Sequence, residues 1–145
     1  MSDKELAYSN RVDDYPIKNF VPTLTSREVL NDNSKTITVA DDQIYHMLWI
    51  RYEYTADGTS GTRTPTISVR DGNNDVIWEI AGPTLTASQT SIQQLSAGTA
   101  GDLELPDPLY LDEGWDMIIV DTTDVAAAGD DLIVHFIYII HDKVT

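Results

Sequence analysis

From Ser34 onward, apolar and polar residues alternate with a period of two, which is the period of a β-strand. Thr36 to Ala40 opens the pattern with β-branched residues, and Asp41-Asp42 turns the chain. Ile44 to Tyr54 reads as a long strand, closed by the turn-forming stretch Asp57-Gly58-Thr59-Ser60-Gly61. Thr64 to Arg70 places Ile67 and Val69 on one face and Thr66, Ser68 and Arg70 on the other. Asp71-Gly72-Asn73-Asn74 is the strongest hairpin signal, because these residues tolerate positive φ. Asp75 to Ala81 returns with Val76, Trp78 and Ile80 together, until Gly82-Pro83 breaks it. Ser88 to Leu95 is a polar strand. Leu103 to Leu105 and Leu109 to Leu111 are short pieces set apart by Pro106 and Pro108. Asp112-Glu113-Gly114 turns into Trp115 to Val120, and the loop Asp121 to Asp131 leads to a last strand, Leu132 to His141. No long segment carries a helical period. About eight strands at this spacing predict an all-β fold: an antiparallel β-sandwich of jelly-roll type. An immunoglobulin-like sandwich fits the same pattern, and the strand order stays open.

Residues 1–33 differ. They hold Pro16 and Pro22, which favour extended backbone in the preceding residue, and four of the 9 basic residues: Lys4, Arg11, Lys18 and Arg27. The chain therefore divides into an N-terminal arm, 1–33, and a β-sandwich domain, 34–145. Closely spaced apolar residues give the arm its docking anchors: Tyr15, Ile17, Phe20, Val21 and Leu24. A partly disordered terminus is the other reading.

Two strands break the expected alternation. Leu132, Val134, Phe136, Tyr138 and Ile140 share one face of the last strand, yet Ile133, Ile137 and Ile139 make its opposite face apolar too. In the long early strand, Ile44, His46, Leu48, Ile50 and Tyr52 fall on one face and Tyr45, Met47, Trp49 and Arg51 on the other. A sandwich normally solvates one face of each sheet, and a large exposed apolar patch marks an interaction site. Tyr45, Met47, Trp49, Ile133, Ile137 and Ile139 are therefore the candidate oligomer interface. Cover by the chain's own arm and loops is the alternative.

Composition narrows the chemistry. There are no cysteines, which removes disulfides, thiolate metal sites and cysteine nucleophiles. The formal charge of -15 repels phosphate backbones, so no nucleic-acid partner is expected. Met1-Ser2-Asp3-Lys4-Glu5 is polar and no apolar run follows, so no secretory signal is expected. Leu132 to Ile140 is about half the ~20 residues of a membrane helix, and no membrane partner is expected. His46, His135 and His141 lack metal-ligand spacing and sit in or at the end of apolar strands, where packed histidines are the usual outcome. Two acidic groups have oxygens enough for Ca²⁺: Asp71, Asn73 and Asp75, and the loop with Asp121, Asp124, Asp130 and Asp131. Solvated turns explain both more simply. No catalytic, cofactor or metal residue is assigned, and no enzyme activity is expected. Trp78 and Trp115 read as core, and Trp49 as an interface anchor.

Residues 43–141 resemble small virion proteins of tailed bacteriophages. The resemblance is carried by Leu48-Trp49-Ile50-Arg51-Tyr52-Glu53-Tyr54-Thr55, by Arg63 to Arg70 with the Arg70-Asp71-Gly72-Asn73 hairpin, and by Ala87-Ser88-Gln89-Thr90. It continues through Leu109-Tyr110-Leu111-Asp112-Glu113-Gly114-Trp115, Val120-Asp121 and Gly129-Asp130-Asp131-Leu132-Ile133-Val134. The likeness lies in layout and has no diagnostic residue. It implies a jelly-roll capsid decoration or cement protein, a homotrimer bridging copies of the major capsid protein on the virion exterior, assembled in the host cytoplasm. A head-fibre base, a tail component or a carbohydrate-binding β-sandwich module are the alternatives.

Overall fold

The computed structural model describes the backbone of residues 20–25 and residues 33–96, 103–123, 125 and 128–143. Nine strands follow in order: β1 (Phe20–Thr25), β2 (Lys35–Thr38), β3 (Gln43–Thr55), β4 (Pro65–Arg70), β5 (Val76–Ala81), β6 (Thr90–Ser96), β7 (Leu109–Leu111), β8 (Asp116–Asp121) and β9 (Asp131–Asp142). They form two antiparallel sheets. The first runs β1-β9-β3-β6, with β7 also paired to β3; the second runs β2-β8-β4-β5. With β7 set aside as an addition, β1 pairs with the last strand, β2 with the next-to-last, β3 with β6, and β4 with β5. That nesting of outer around inner strands is the jelly roll. The immunoglobulin-like alternative does not have it.

The arm and domain boundaries meet the structure at β1. This strand falls within residues 1–33 and pairs in register with β9, Phe20 opposite Ile139 and Thr25 opposite Val134. Tyr15 and Ile17 lie outside the described residues.

The core fills the space between the sheets. From the first sheet come Tyr45, Met47, Ile50, Tyr52, Tyr54, Leu132, Val134, Phe136 and Tyr138, and from the second Ile37, Ile67, Val69, Met117 and Ile119. Cross-strand rows such as Ile80–Ile67–Ile119 and Trp78–Val69–Met117 lay β-branched and long side chains against one another. Each such side chain contributes ~1.5–3 kcal/mol when fully buried. Trp78 and Trp115 pack against this core while half-buried.

A β-bulge sets the facing of β3. Met47 stands opposite Tyr138 and Trp49 opposite Ile137, adjacent positions on β9, so Leu48 is an extra residue. The inward set is therefore Tyr45 and Met47 before the bulge and Ile50, Tyr52 and Tyr54 after it. This corrects the period-two faces, which put Tyr45 and Met47 with Trp49 and Arg51. The strand is apolar inward along its whole length, and its phase slips once.

Salt bridges and turns tie the end of the sandwich where β4 ends and β8 begins. Arg70 donates Nε and Nη2 to both oxygens of Asp116, its direct partner across β4 and β8, at 2.8 and 2.7 Å. At the same end, Lys143 Nζ reaches Asp112 and Glu113, while the Asp42 N–H donates to Glu113 Oε2 at 2.8 Å. The turn before β8 uses Gly114 at φ 76°, a conformation that side chains resist. The β4–β5 hairpin turns through Asn74 at φ 68°.

Candidate interaction face

The bulge also decides what the first sheet shows to its outer side. Register gives four rows across it. Ile92, Glu53 and Ile133 form the first, and Gln94, Arg51 and His135 the second. Ser96, Trp49 and Ile137 form the third, and Tyr110, His46 and Ile139 the fourth, with Ile44 and His141 paired beyond it. All three histidines of the chain thus lie on one face. Arg51 and Glu53 approach to 4.0 Å and cancel in charge. Ile92 is 54% exposed and Tyr110 49%, while Trp49, Leu48 and Ile133 are half-buried.

The expected interface residues divide on this geometry. Trp49 and Ile133 lie on the outer face. Tyr45 and Met47 belong to the inter-sheet core, with Met47 fully buried and Tyr45 stacked on Tyr138 at 4.5 Å between ring centroids. They cannot meet a second subunit, and the cause is the slip at Leu48. Ile137 and Ile139 are on the outer face but are already covered within the single chain, 5% and 9% exposed. Neither belongs to the inter-sheet core, and β1 runs beside them, with Pro22 opposite Ile137 and Phe20 opposite Ile139. Of the anchors expected in the arm, Phe20, Val21 and Leu24 are strand positions opposite Ile139, Tyr138 and His135.

One end of the face is concave. Ile44, Tyr110 and His141 line a groove of about 370 Å³. The His46 ring lies 4.6 Å from Tyr110 at a tilt of 35°, and 6.4 Å from His141. Burial holds the His46 pKa below its ordinary value, and the neighbouring His141 adds to the effect, against an opposing pull from Asp107. His46 is therefore a neutral imidazole near pH 7, with one N–H donor and one acceptor.

The densest charged cluster lies elsewhere, at the end of the sandwich that holds the β3–β4 and β8–β9 loops. Sequence reasoning did not single it out. Arg63 is fully buried and uses all five of its N–H groups. Nε donates to Asp130 Oδ2 at 2.9 Å, and Nη2 to Asp130 Oδ1 at 3.2 Å and Asp57 Oδ1 at 2.8 Å. Nη1 donates to the carbonyls of Thr59 and Gly61 at 2.8 and 3.0 Å. The Tyr54 hydroxyl bridges Asp121 and Asp130, at 2.8 and 3.0 Å. The acidic loop read as a Ca²⁺ candidate thus gathers Asp121 and Asp130 around a guanidinium and a phenol. Asp71, the other candidate, accepts the N–H groups of Asn73 and Asp75 on Oδ1, as a turn residue does. Among the described residues, no group of three His, Asp or Glu side chains is placed to hold a metal ion. Among them too, no helix is long and apolar enough to cross a membrane.

No family model matches the chain, and no curated protein matches it. Two solved structures share part of its shape. One is an arabinose-bound MgGH51 α-L-arabinofuranosidase, 12% identical, with a TM-score of 0.39 over 83% of this chain and 22% of that one. The other is the isomalto-dextranase of Arthrobacter globiformis T6 complexed with panose, 18% identical, with a TM-score of 0.29 over 83% of this chain and 18% of that one. The chain spans about a fifth of either protein, and likeness at this level carries no argument about activity.

Proposed function

We propose that this chain is a non-enzymatic structural subunit that assembles through the outer face of its first sheet. The observation that carries the reading is the character of that face. In a molecule of charge -15, it balances Arg51 against Glu53 and presents Ile92, Trp49, Ile133 and Tyr110. A face with little net charge is where acidic subunits approach at least electrostatic cost. The aromatic and aliphatic side chains there supply the burial that association needs. The strongest ionic cluster supports the same reading, since Arg63 directs every donor to its own loops.

The resemblance to tailed-phage virion proteins supplies the setting. On this reading the chain is a capsid decoration or cement protein, a homotrimer that binds the major capsid protein on the outside of the head. The arm, 1–33, adds contacts to the shell. The test is co-sedimentation of the purified protein with empty, expanded heads of the phage that encodes it, followed by cryo-electron microscopy. Added density at regular positions on the shell is the expected result. Density confined to the tail moves the chain to another virion part, and no binding at micromolar concentration overturns the reading. A chain shortened to residues 20–145 keeps β1 and isolates the contribution of the residues before it. Full binding by that shortened chain would remove them from the docking surface.

A further inference from the structure

The second sheet ends in an open edge. In its order β2-β8-β4-β5, β5 pairs with β4 on one side and with no described residue on the other. The Gly82 N–H donates to the Pro65 carbonyl at 2.7 Å, which fixes the phase of the antiparallel ladder. Ile80 and Trp78, two and four residues back, turn their backbone groups to β4, so Glu79 and Ala81 turn theirs to the open side. This edge belongs to the second sheet and is separate from the outer face of the first. We propose that β5 takes up an extended peptide segment of a different protein, one that carries lysine or arginine among apolar residues, as a fifth strand of the second sheet.

Three features select that partner. First, the outward N–H and C=O groups of Glu79 and Ala81 are matched in line only by another extended backbone. Exposed edges are ordinarily blunted by lysine, proline or a bulge. β5 holds neither lysine nor proline, and its bulge lies at Ile77, so Trp78 to Ala81 stays regular. Second, the edge is apolar. Val76 is 55% exposed and Ile77 51%, while Trp78 and Ile80 pack against the core half-buried. An added strand lays its own apolar side chains beside them. Third, the charge along the edge has one sign. From Asp71 to Ser96 the chain holds Asp71, Asp75 and Glu79 and no lysine or arginine. Asp75 and Glu79 are exposed. Arg70, just before them, is held by both oxygens of Asp116. That field favours a basic segment. It opposes a second copy of this chain, which would bring Asp75 and Glu79 against their own kind.

The experiment is an NMR titration that follows the backbone amides of Glu79 and Ala81 in the full chain. The probe is the end-blocked peptide Lys-Val-Lys-Val-Lys-Val-Lys. Its comparisons are Glu-Val-Glu-Val-Glu-Val-Glu, of opposite charge, and Lys-Pro-Lys-Pro-Lys-Pro-Lys, which keeps the charge and loses the valine N–H donors. Saturable shifts of both amides with the first peptide are expected, with binding about tenfold weaker or worse for the other two. Ala81→Pro removes an outward donor, a change that edge strands tolerate. It should weaken binding by about tenfold while leaving the melting temperature unchanged. Glu79→Lys reverses the charge and leaves the backbone intact. It should weaken binding similarly and covers the case in which the proline variant misfolds. The proposal is overturned if the lysine–valine peptide leaves both amides unmoved at millimolar concentration. It is also overturned if either comparison peptide binds as tightly, or if both variants bind as well as the native chain. Self-association of the chain that Ala81→Pro abolishes would give the edge to a second copy and overturn it too.

Discussion

Arg63 shows how a single residue can hold one end of a sandwich together. Its guanidinium lies out of water, and hydrogen bonding to Asp130 raises its pKa, against the cost of burial. Removing one partner of such a pair leaves the other charge buried and unpaired, at about 3–5 kcal/mol. Arg63→Ala should therefore lose about that much in urea unfolding at pH 7, a large share of the ~5–15 kcal/mol that holds a domain folded. Arg63→Lys should recover little, since three ammonium donors cannot reach the five acceptors around the guanidinium. A loss below about 1 kcal/mol for the alanine variant would mean that the cluster is decoration on the loops. Asp121 tests the same cluster by pH. Burial acts to raise its pKa, but the Thr123 N–H and hydroxyl, the Tyr54 hydroxyl and the Thr64 N–H outweigh it, and the net shift is downward. A carboxylate held below its unfolded value stabilises the fold above that value and loses the contribution as pH falls through the folded one. Asp121→Asn should thus be destabilised relative to the native chain at pH 7 by about 1–3 kcal/mol. The gap should narrow only below about pH 4, the unfolded carboxylate range. A gap that stayed constant from pH 7 to about pH 3 would show that the ionised form is not what these donors favour.

Among the elements, β3 carries the sharpest prediction. Leu48 is the extra residue between pairs that are adjacent on β9, so deleting it leaves Met47–Tyr138 followed directly by Trp49–Ile137. Every inward side chain stays inward. Deleting Arg51, four residues from the end of the strand, breaks the phase between Ile50 and Tyr52 and turns part of the inward set to solvent. The Leu48 deletion should melt cooperatively within several degrees of the native chain, and the Arg51 deletion should not fold. Near-ultraviolet circular dichroism during a thermal melt distinguishes them, and equal damage from both would refute the bulge assignment. The same strand explains what could be read in advance. Alternation predicted the strands from Lys35 to Asp142 closely: Thr64 to Arg70 against β4, Pro65–Arg70, and Asp75 to Ala81 against β5, Val76–Ala81. β4 keeps one phase, but β5 slips at Ile77, between Val76 opposite Arg70 and Trp78 opposite Val69, so Val76, expected beside Trp78 and Ile80, lies 55% exposed instead. A bulge adds a residue without changing the composition, so strict alternation assigned Tyr45 and Met47 to the wrong side. Leu103 to Leu105 is not a strand but carries a single bridge at Leu105. Arg63 was hidden for another reason. Its acceptors come from Asp57 and Asp130, 67 residues apart from it in the case of Asp130, and only the closure of the sandwich brings them together. The groove was equally hidden, because Ile44, Tyr110 and His141 meet only through the pairing of β3 with β7 and β9.

For the whole molecule, the distribution of charge matters more than its sum. A chain of -15 repels its copies over roughly 30 Å at ~10 mM salt but only over about 8 Å at ~150 mM. If association uses the outer face of the first sheet, contact there is apolar and nearly neutral, and the opposing force is the long-range field of the rest of the surface. Salt should then strengthen assembly, the reverse of its effect on an interface built from ion pairs. Sedimentation equilibrium should give a multiple of 16.1 kDa at ~150 mM salt and a lower average mass at ~10 mM. Ile92→Glu places a charge at the β6 end of the exposed row without touching the core, since Ile92 is 54% exposed. That variant should sediment as single chains at both salt concentrations with an unchanged melting temperature. Weaker association of the native chain at higher salt would assign the contact to charged side chains outside this face. A mass of 16.1 kDa under every condition would refute self-association through Trp49, Ile92 and Ile133.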